Sequence, residues 1–412
     1  MDKKKLLWVS DAPSILNIGQ SVVGRECLSR LQQWYDVEAL GFGHGSMKDP
    51  IKLPYNVISC NRPEMKDVNK VAEYLRQSKP DVVIFSHDIW LSFHTATLRA
   101  LFPNIKFIAY LTVDAEPVYY GWRHDFKGYH KIITPSHWSK AVLLDRFCEL
   151  NVDVVPYGID HGTFRPPQQG KEALKQQIEQ LYAQSGYKMD ITGRFLGIFI
   201  GNNQQRKNLG LIHESWREFI KTLPGSSVGP INTKPARLIM VVHGATLGDT
   251  SSGEYDLACF VQDTEDTVKV INVSIPQDML GALTAAADVL FHPALAGGFE
   301  LTVAQSMAAG TVPIIIPYSA ITDYCTNQNT YQIPFMLHTG AYHCHVAMAP
   351  VANAVECLKQ AFTDVEGRKA RSQNGIVTAS KYTWDICADG LHQSIEDTLR
   401  MDAEGLYVSR LK

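Results

Sequence analysis

The sequence predicts an α/β protein built from two Rossmann-like, doubly wound domains facing a cleft. Three observations carry this expectation. Short apolar runs of the kind that form buried parallel strands alternate with longer stretches whose apolar residues recur every three or four positions. The alternation stops at a break rich in proline and glycine and then starts again. Finally, 412 residues exceed what one ordinary core accommodates.

In chain order, the first series of strands reads LLWV (6–9), VEAL (37–40), DVVIF (81–85), KFIAYL (106–111), KIITP (131–135) and VDVVPY (152–157). Between them VGRECLSRLQQW and VNKVAEYLRQ have helical apolar spacing, and SHWSKAVLLDRF opens on Ser136, a residue suited to capping a helix. RPPQQG (165–170) halts both periodicities and marks the linker, followed by a charged helical stretch from Lys171 to Tyr182. The second series runs RFLGIFIG, the helix LGLIHESWREFIKTL, the loop GSSVGPINTKP, RLIMVVHG, VKVINVS, PQDMLGALTAAA, DVLFHP and TVPIIIP. Strands separated by helices in this way form parallel sheets. From about Tyr382 to Leu411 the chain reads as one or two amphipathic helices, placed to cross back onto the first domain.

Composition excludes several classes. With 45% hydrophobic and 20% charged residues and no low-complexity tract, the chain is neither disordered nor fibrous. Lys and Arg number 39 against 42 Asp and Glu, so no global polycation faces a phosphate backbone, and any nucleic-acid contact has to be local. The cysteines Cys27, Cys60, Cys148, Cys259, Cys325, Cys344, Cys357 and Cys387 form no CxxC pair, a pattern expected of reduced thiols in the cytoplasm. The start, MDKKKLLWVSDAP, has too short an apolar stretch for a signal peptide or a membrane span and reads as a first strand.

Two segments follow strands and enter helices, where open α/β sheets bind ligands. In ALAGGFELTVAQSMAAG (294–310), Gly297 and Gly298 let backbone approach a ligand, and the amides from Phe299 to Thr302 offer donors at the positive end of a helix dipole. The alternative is a tight turn in which Glu300 only offsets the dipole. In FIGNNQQRKNLGLIHESW (199–216), Arg206 and Lys207 stand at a helix entrance, where cations are disfavoured by some tenths of a kcal/mol, so either a bound anion compensates or the pair is solvated.

GNNQQRKNLGLI followed by GGFELTVAQSMAAGTVPI, with PDVVIFSHD, TPSHWSK and VPYGIDHGTFRP before them, resembles the retaining GT-B glycosyltransferases related to glycogen synthases and mannosyltransferases, over roughly residues 6–390. LWVSDAP and YLTVDAEPVYYGW resemble viral and bacterial variants of that group, which would place the protein in the host cytoplasm if it is viral. The resemblance implies an acceptor-side domain at 1–166, completed by C-terminal helices at about 382–412, and a donor-binding domain at 190–381. It implies a nucleoside diphosphate sugar as co-substrate, with neither metal nor cofactor, and no DxD triplet occurs. The family's arginine position holds Asn202, whereas Lys207 matches and Arg206 stands beside it; the family's two glutamates align with Gly297 and Gln305. Arg206, Lys207, Glu300 and Asp114 are the expected catalytic groups, with an ordinary helix cap or loop acid as the alternative for Asp114. Gly297, Gly298, Phe299, Leu301, Thr302, Gln305, Asn202, Asn272 and Val273 are the expected donor-domain contacts. On the first domain Gly19 and Gln20, in SILNIGQSVVG, are expected under the donor phosphates, and His87 and Asp88 end a strand either as lining residues or as a cap.

GWRHDFKGYHK (121–131) interleaves aromatic and basic residues, a pattern that suits base stacking and phosphates or an anionic membrane surface but more often marks an ordinary solvated face. HCH at 343–345 lacks the second ligand cluster of a structural zinc site. The resulting expectation is a retaining glycosyltransferase acting on a hydroxyl of a glycan, a lipid or a modified nucleobase in DNA. A catalytically degenerate sugar-nucleotide-binding subunit and a nucleotide-sugar epimerase are the alternatives.

Overall fold

The computed structural model describes residues 3–15, 19–44, 51–61, 64, 67–89, 94–225, 233–243, 255–340 and 343–401. The chain forms two compact units. The first comprises residues 1–158, 341–344 and 382–412, and the second comprises 159–340 and 345–381.

In the first unit the strands are β1 (Lys5–Asp11), β2 (Asp36–Phe42), β3 (Asn56–Cys60), β4 (Val82–Asp88), β5 (Lys106–Thr112), β6 (Lys131–Thr134) and β7 (Val152–Val154), all paired in parallel in the order β3-β2-β1-β4-β5-β6-β7. Helices cover both faces, so the central strands are buried throughout, which is why β1 and β4 read as unbroken apolar runs. Leu7, Val9, Val83, Phe85, Phe107, Ala109 and Leu111 form the middle of one core layer. The helices between strands include α1 (Gly19–Leu31), α2 (Val68–Ser78), α3 (Thr95–Leu101), the short α4 (Arg123–Phe126) and α5 (His137–Arg146). Ser136 caps α5 as its sequence position predicts, accepting from the Ser139 amide at 3.0 Å.

The C-terminal helix Trp384–Leu399 packs against α1. Tyr35 donates to Glu396 Oε1 at 2.9 Å, the Trp34 and His392 rings stack 4.2 Å apart, and Ser394 donates to Asp153 Oδ2 at 2.8 Å. Trp384, Cys387, Leu391 and Ile395 are buried by this packing.

The second unit opens with α6 (Lys171–Gln184), then β8 (Phe195–Asn202), α7 (Leu209–Lys221), β9 (Ala236–His243), α8 (Ala258–Gln262), β10 (Val268–Ile271), α9 (Gln277–Ala286), β11 (Val289–His292), α10 (Leu301–Ala308), β12 (Val312–Ile315) and β13 (Tyr331–Gln332). Its sheet is parallel in the order β10-β9-β8-β11-β12-β13. A buried Lys175 ties α6 to this sheet through Asp288 at 3.1 Å and the Arg194 carbonyl at 2.7 Å, and the same Asp288 carboxylate accepts from the Leu196 amide at 2.8 Å. Beyond β13, an antiparallel hairpin of β14 (Met336–Thr339) and β15 (His345–Met348) leads to α11 (Val351–Thr363) and α12 (Val365–Ala379). Among the described residues, no helix is long and apolar enough to cross a membrane.

Candidate functional site

Each sheet reverses its strand order once, between β1 and β4 in the first unit and between β8 and β11 in the second. Ligands of open α/β sheets bind beyond the carboxyl ends of the strands at such a point. In the second unit β8 ends at Asn202, and the chain passes through the 3-10 turn Gln205–Lys207 into α7. Its neighbour β11 ends at His292 and leads through the glycine pair to α10. The two loops are joined, because the Leu295 amide donates to the Arg206 carbonyl at 2.8 Å and Asn208 Nδ2 to the Pro293 carbonyl at 3.2 Å.

Glu300 lies at the centre. Its Oε1 accepts from Arg206 Nη1 at 2.7 Å, and its Oε2 accepts from Lys207 Nζ and from His292 Nε2, the latter at 2.9 Å. The Glu300 side chain is 5% exposed, Lys207 8% and Arg206 38%, so this is a largely desolvated cluster with one cation facing water. Burial pushes the Glu300 carboxyl up, but Lys207, Arg206 and His292 together outweigh it and hold it well below the usual carboxylate range. Burial, with repulsion from Lys207, lowers the His292 imidazole. Its Nδ1 is buried without a hydrogen-bond partner.

Sequence reasoning left open whether the cations at the entrance of α7 are offset by a bound anion or by solvent. The structure supplies a different answer, an anion from the chain itself. Nor does Glu300 cap its own helix: it makes no side-chain bond to the α10 amides, because its backbone is left-handed (φ 59°, ψ 71°) and turns the side chain away. Val303 and Ala304 donate to the Glu300 carbonyl, which leaves the Leu301 and Thr302 amides without an intrahelical acceptor.

The glycine entrance is clamped from behind. The Gly297 amide donates to Ser319 Oγ at 2.9 Å and Ser319 Oγ donates back to the Gly297 carbonyl at 3.0 Å, while Tyr324 donates to the carbonyls of Phe299 (2.5 Å) and Glu300 (3.2 Å). A Cβ on Gly297 would collide with Glu300 Oε1, so the missing side chain is the space that the carboxylate fills. Asn208 (φ 58°) and Ser319 (φ 66°) share the left-handed conformation of Glu300.

Of the residues expected from sequence, Arg206, Lys207, Glu300, Gly297, Gly298, Phe299, Leu301 and Thr302 fall at the switch point of the second sheet, with Asn202 at the end of β8 and Gln305 one turn further along α10. Asn272 and Val273 follow β10, two strands away from β8 at the same carboxyl edge, and Val273 is exposed. In the first unit Gly19 opens α1, and Gln20 Oε1 accepts from Ser86 at 2.9 Å. His87 is buried, with Nδ1 2.7 Å from the Asp88 carbonyl and Nε2 3.2 Å from the Tyr129 hydroxyl. Asp88 Oδ1 accepts from Thr112 at 2.9 Å, and Asp114 lies half-buried just past β5. Positions 16–18 of the loop before Gly19 lie outside the described residues.

Sequence reasoning missed His292, Ser319, Tyr324 and Asn208. A histidine closing a buried strand ahead of the glycine loop was the available signal for His292; nothing local distinguished the other three. The basic and aromatic stretch 121–131 proves not to be one face. Phe126, Tyr129 and His130 are buried, and Lys131 is a strand residue paired with Asp153 at 2.6 Å, because the stretch dives from the surface into β6. Among the described residues no group of three His, Cys, Asp or Glu side chains is placed to hold a metal, the 343–345 triplet included.

Two parallel-sheet Rossmann-like units match the GT-B fold. The chain is similar to solved structures of that class along nearly its whole length. It superposes on sucrose-phosphate synthase from Thermosynechococcus elongatus with a TM-score of 0.74 at 13% identity, covering 96% of this chain and 98% of the other. A glycosyltransferase of Rickettsia africae gives 0.69 at 13% identity, covering 97% and 99%. HepE of Anabaena, solved in complex with UDP and glucose, gives 0.67 at 12% identity, covering 95% and 99%. No protein-family model matches the chain, and no curated protein matches it in sequence.

Proposed function

We propose that this chain is a glycosyltransferase that moves a sugar from a nucleoside diphosphate donor to a hydroxyl acceptor with retention of anomeric configuration. The observation that carries the reading is that Arg206 and Lys207, after β8, and the start of α10, after the neighbouring β11, stand side by side at the switch point of the second sheet. As the bond from the sugar to the diphosphate lengthens, negative charge grows on the leaving group. Fixed cations and amide dipoles aimed there lower the barrier, each preorganised donor typically contributing about 3 kcal/mol. The HepE neighbour, with UDP and glucose bound, supports a donor of this kind. The acceptor hydroxyl passes its proton to the departing phosphate oxygen and attacks from the same face, so no carboxylate nucleophile is required. That fits a site in which Gly297 and Gln305 offer none.

The test is incubation with UDP-, GDP-, ADP- and dTDP-sugars and glycan, lipid and hydroxymethylated DNA acceptors, with the anomeric configuration of any product read by NMR. A product of retained configuration is expected. An inverted product, or an isomerised nucleotide sugar without transfer, overturns the reading. Lys207→Ala is expected to weaken UDP binding at least tenfold in calorimetry. A second reading, a binding subunit without turnover, draws on the same absence of carboxylates at positions 297 and 305; it predicts UDP binding with no product from any donor.

A further inference from the structure

The two cations of the candidate phosphate site are already engaged by Glu300. Arg206 meets Oε1 at 2.7 Å, Lys207 meets Oε2, and His292 Nε2 holds Oε2 from the strand side at 2.9 Å. A carboxylate offers these donors what a phosphate would, two oxygens sharing negative charge. The seat for that carboxylate is built by features independent of the ion pairs. Glu300 adopts φ 59°, a backbone conformation that side-chain-bearing residues rarely take, and its carboxylate fills the space left by the missing Cβ of Gly297. Gly297 is in turn pinned on both its amide and its carbonyl by Ser319.

We propose that Glu300 is an internal counter-anion that occupies the phosphate seat in the ligand-free protein and is displaced by the donor, so that it determines which anions the site accepts. The inference rests on the donor reading above. Arg206 and Lys207 bring two positive charges and Glu300 one negative, so these three side chains together sum to one positive charge. A ligand bearing a single carboxylate or a weak monoanion gains nothing over the anion already seated there. A diphosphate, with more charge spread over more oxygens, offsets both positive charges where the carboxylate offsets one, and outcompetes it. Discrimination then comes from an element working against the wrong ligands as well as from contacts to the right one. The same carboxylate offsets positive charge in a largely buried site while the seat has no ligand.

The test compares the wild-type protein with Glu300→Gln and Glu300→Gly, titrating inorganic pyrophosphate and UDP by calorimetry at fixed ionic strength. The glutamine keeps the shape and removes the charge; the glycine adopts the left-handed backbone without penalty, and circular dichroism melts report the fold of each. Both variants are expected to bind pyrophosphate and UDP at least tenfold more tightly than wild type, and to show a larger rise in melting temperature when pyrophosphate is added. If wild type binds UDP but both variants bind equally or more weakly, the counter-anion role is overturned: Glu300 then orients the cations, and the donor reading stands. If neither wild type nor either variant binds UDP or pyrophosphate, the counter-anion role and the donor reading fall together.

Discussion

Glu300 sits in the left-handed region, and from there its side chain folds back over Gly297 towards Arg206, Lys207 and His292. The residues of this cluster were largely legible in the sequence, as cations at one helix entrance and an acid at another; their mutual pairing was not, because it depends on a backbone angle that no periodicity encodes. His292 was missed for a related reason, since a histidine ending an apolar strand reads as core until its acceptor is known. His87 shows a buried imidazole of another kind. Burial lowers its pKa from the ordinary 6.5 to about 4, so the folded protein keeps it neutral where the unfolded chain would protonate it. The unfolded state thus binds more protons between those values. The stability tied to this group is complete above pH 6.5 and is lost as the pH falls towards 4, amounting to roughly 3 kcal/mol. His87→Gln is expected to flatten the loss of stability between pH 6.5 and 4 in urea denaturation; an unchanged slope would show that His87 is not the linked group.

At the scale of elements, the central strands were readable because burial on both faces makes them continuous apolar runs, as in KLLWVSD and FLGIFIGN. β3, NVISC, escaped notice because only Cys60 of its five residues is buried, and the hairpin β14–β15 because MLHT faces solvent along its whole length. Helix starts were more legible where a cap residue stands at the entrance, as Ser136 does for α5. Ser136→Ala removes the acceptor for the Ser139 amide and is expected to cost about 1 kcal/mol in chemical denaturation. A cost indistinguishable from zero would mean that the neighbouring Ser139 hydroxyl, 2.6 Å away, or water takes over the capping role.

For the whole molecule, the notable property is that the first unit is discontinuous in sequence: its helix Trp384–Leu399 comes after every element of the second unit. Cys387, Leu391 and Ile395 of that helix are fully buried beside α1, so residues 1–158 alone would leave an apolar face open. Expressed separately, 159–381 is expected to melt cooperatively in circular dichroism, while 1–158 is expected to aggregate or stay without a sharp transition. A cooperative melt of 1–158 would show that the late helix is dispensable to its core. The arrangement also sets an order on biosynthesis. After residue 158 leaves the ribosome, the 223 residues of 159–381 must be made before the closing helix exists, which takes roughly 10–45 s at about 5–20 residues per second. Throughout that interval the N-terminal unit waits with Cys27 and Tyr35 uncovered, and the half of the protein made first is the half completed last.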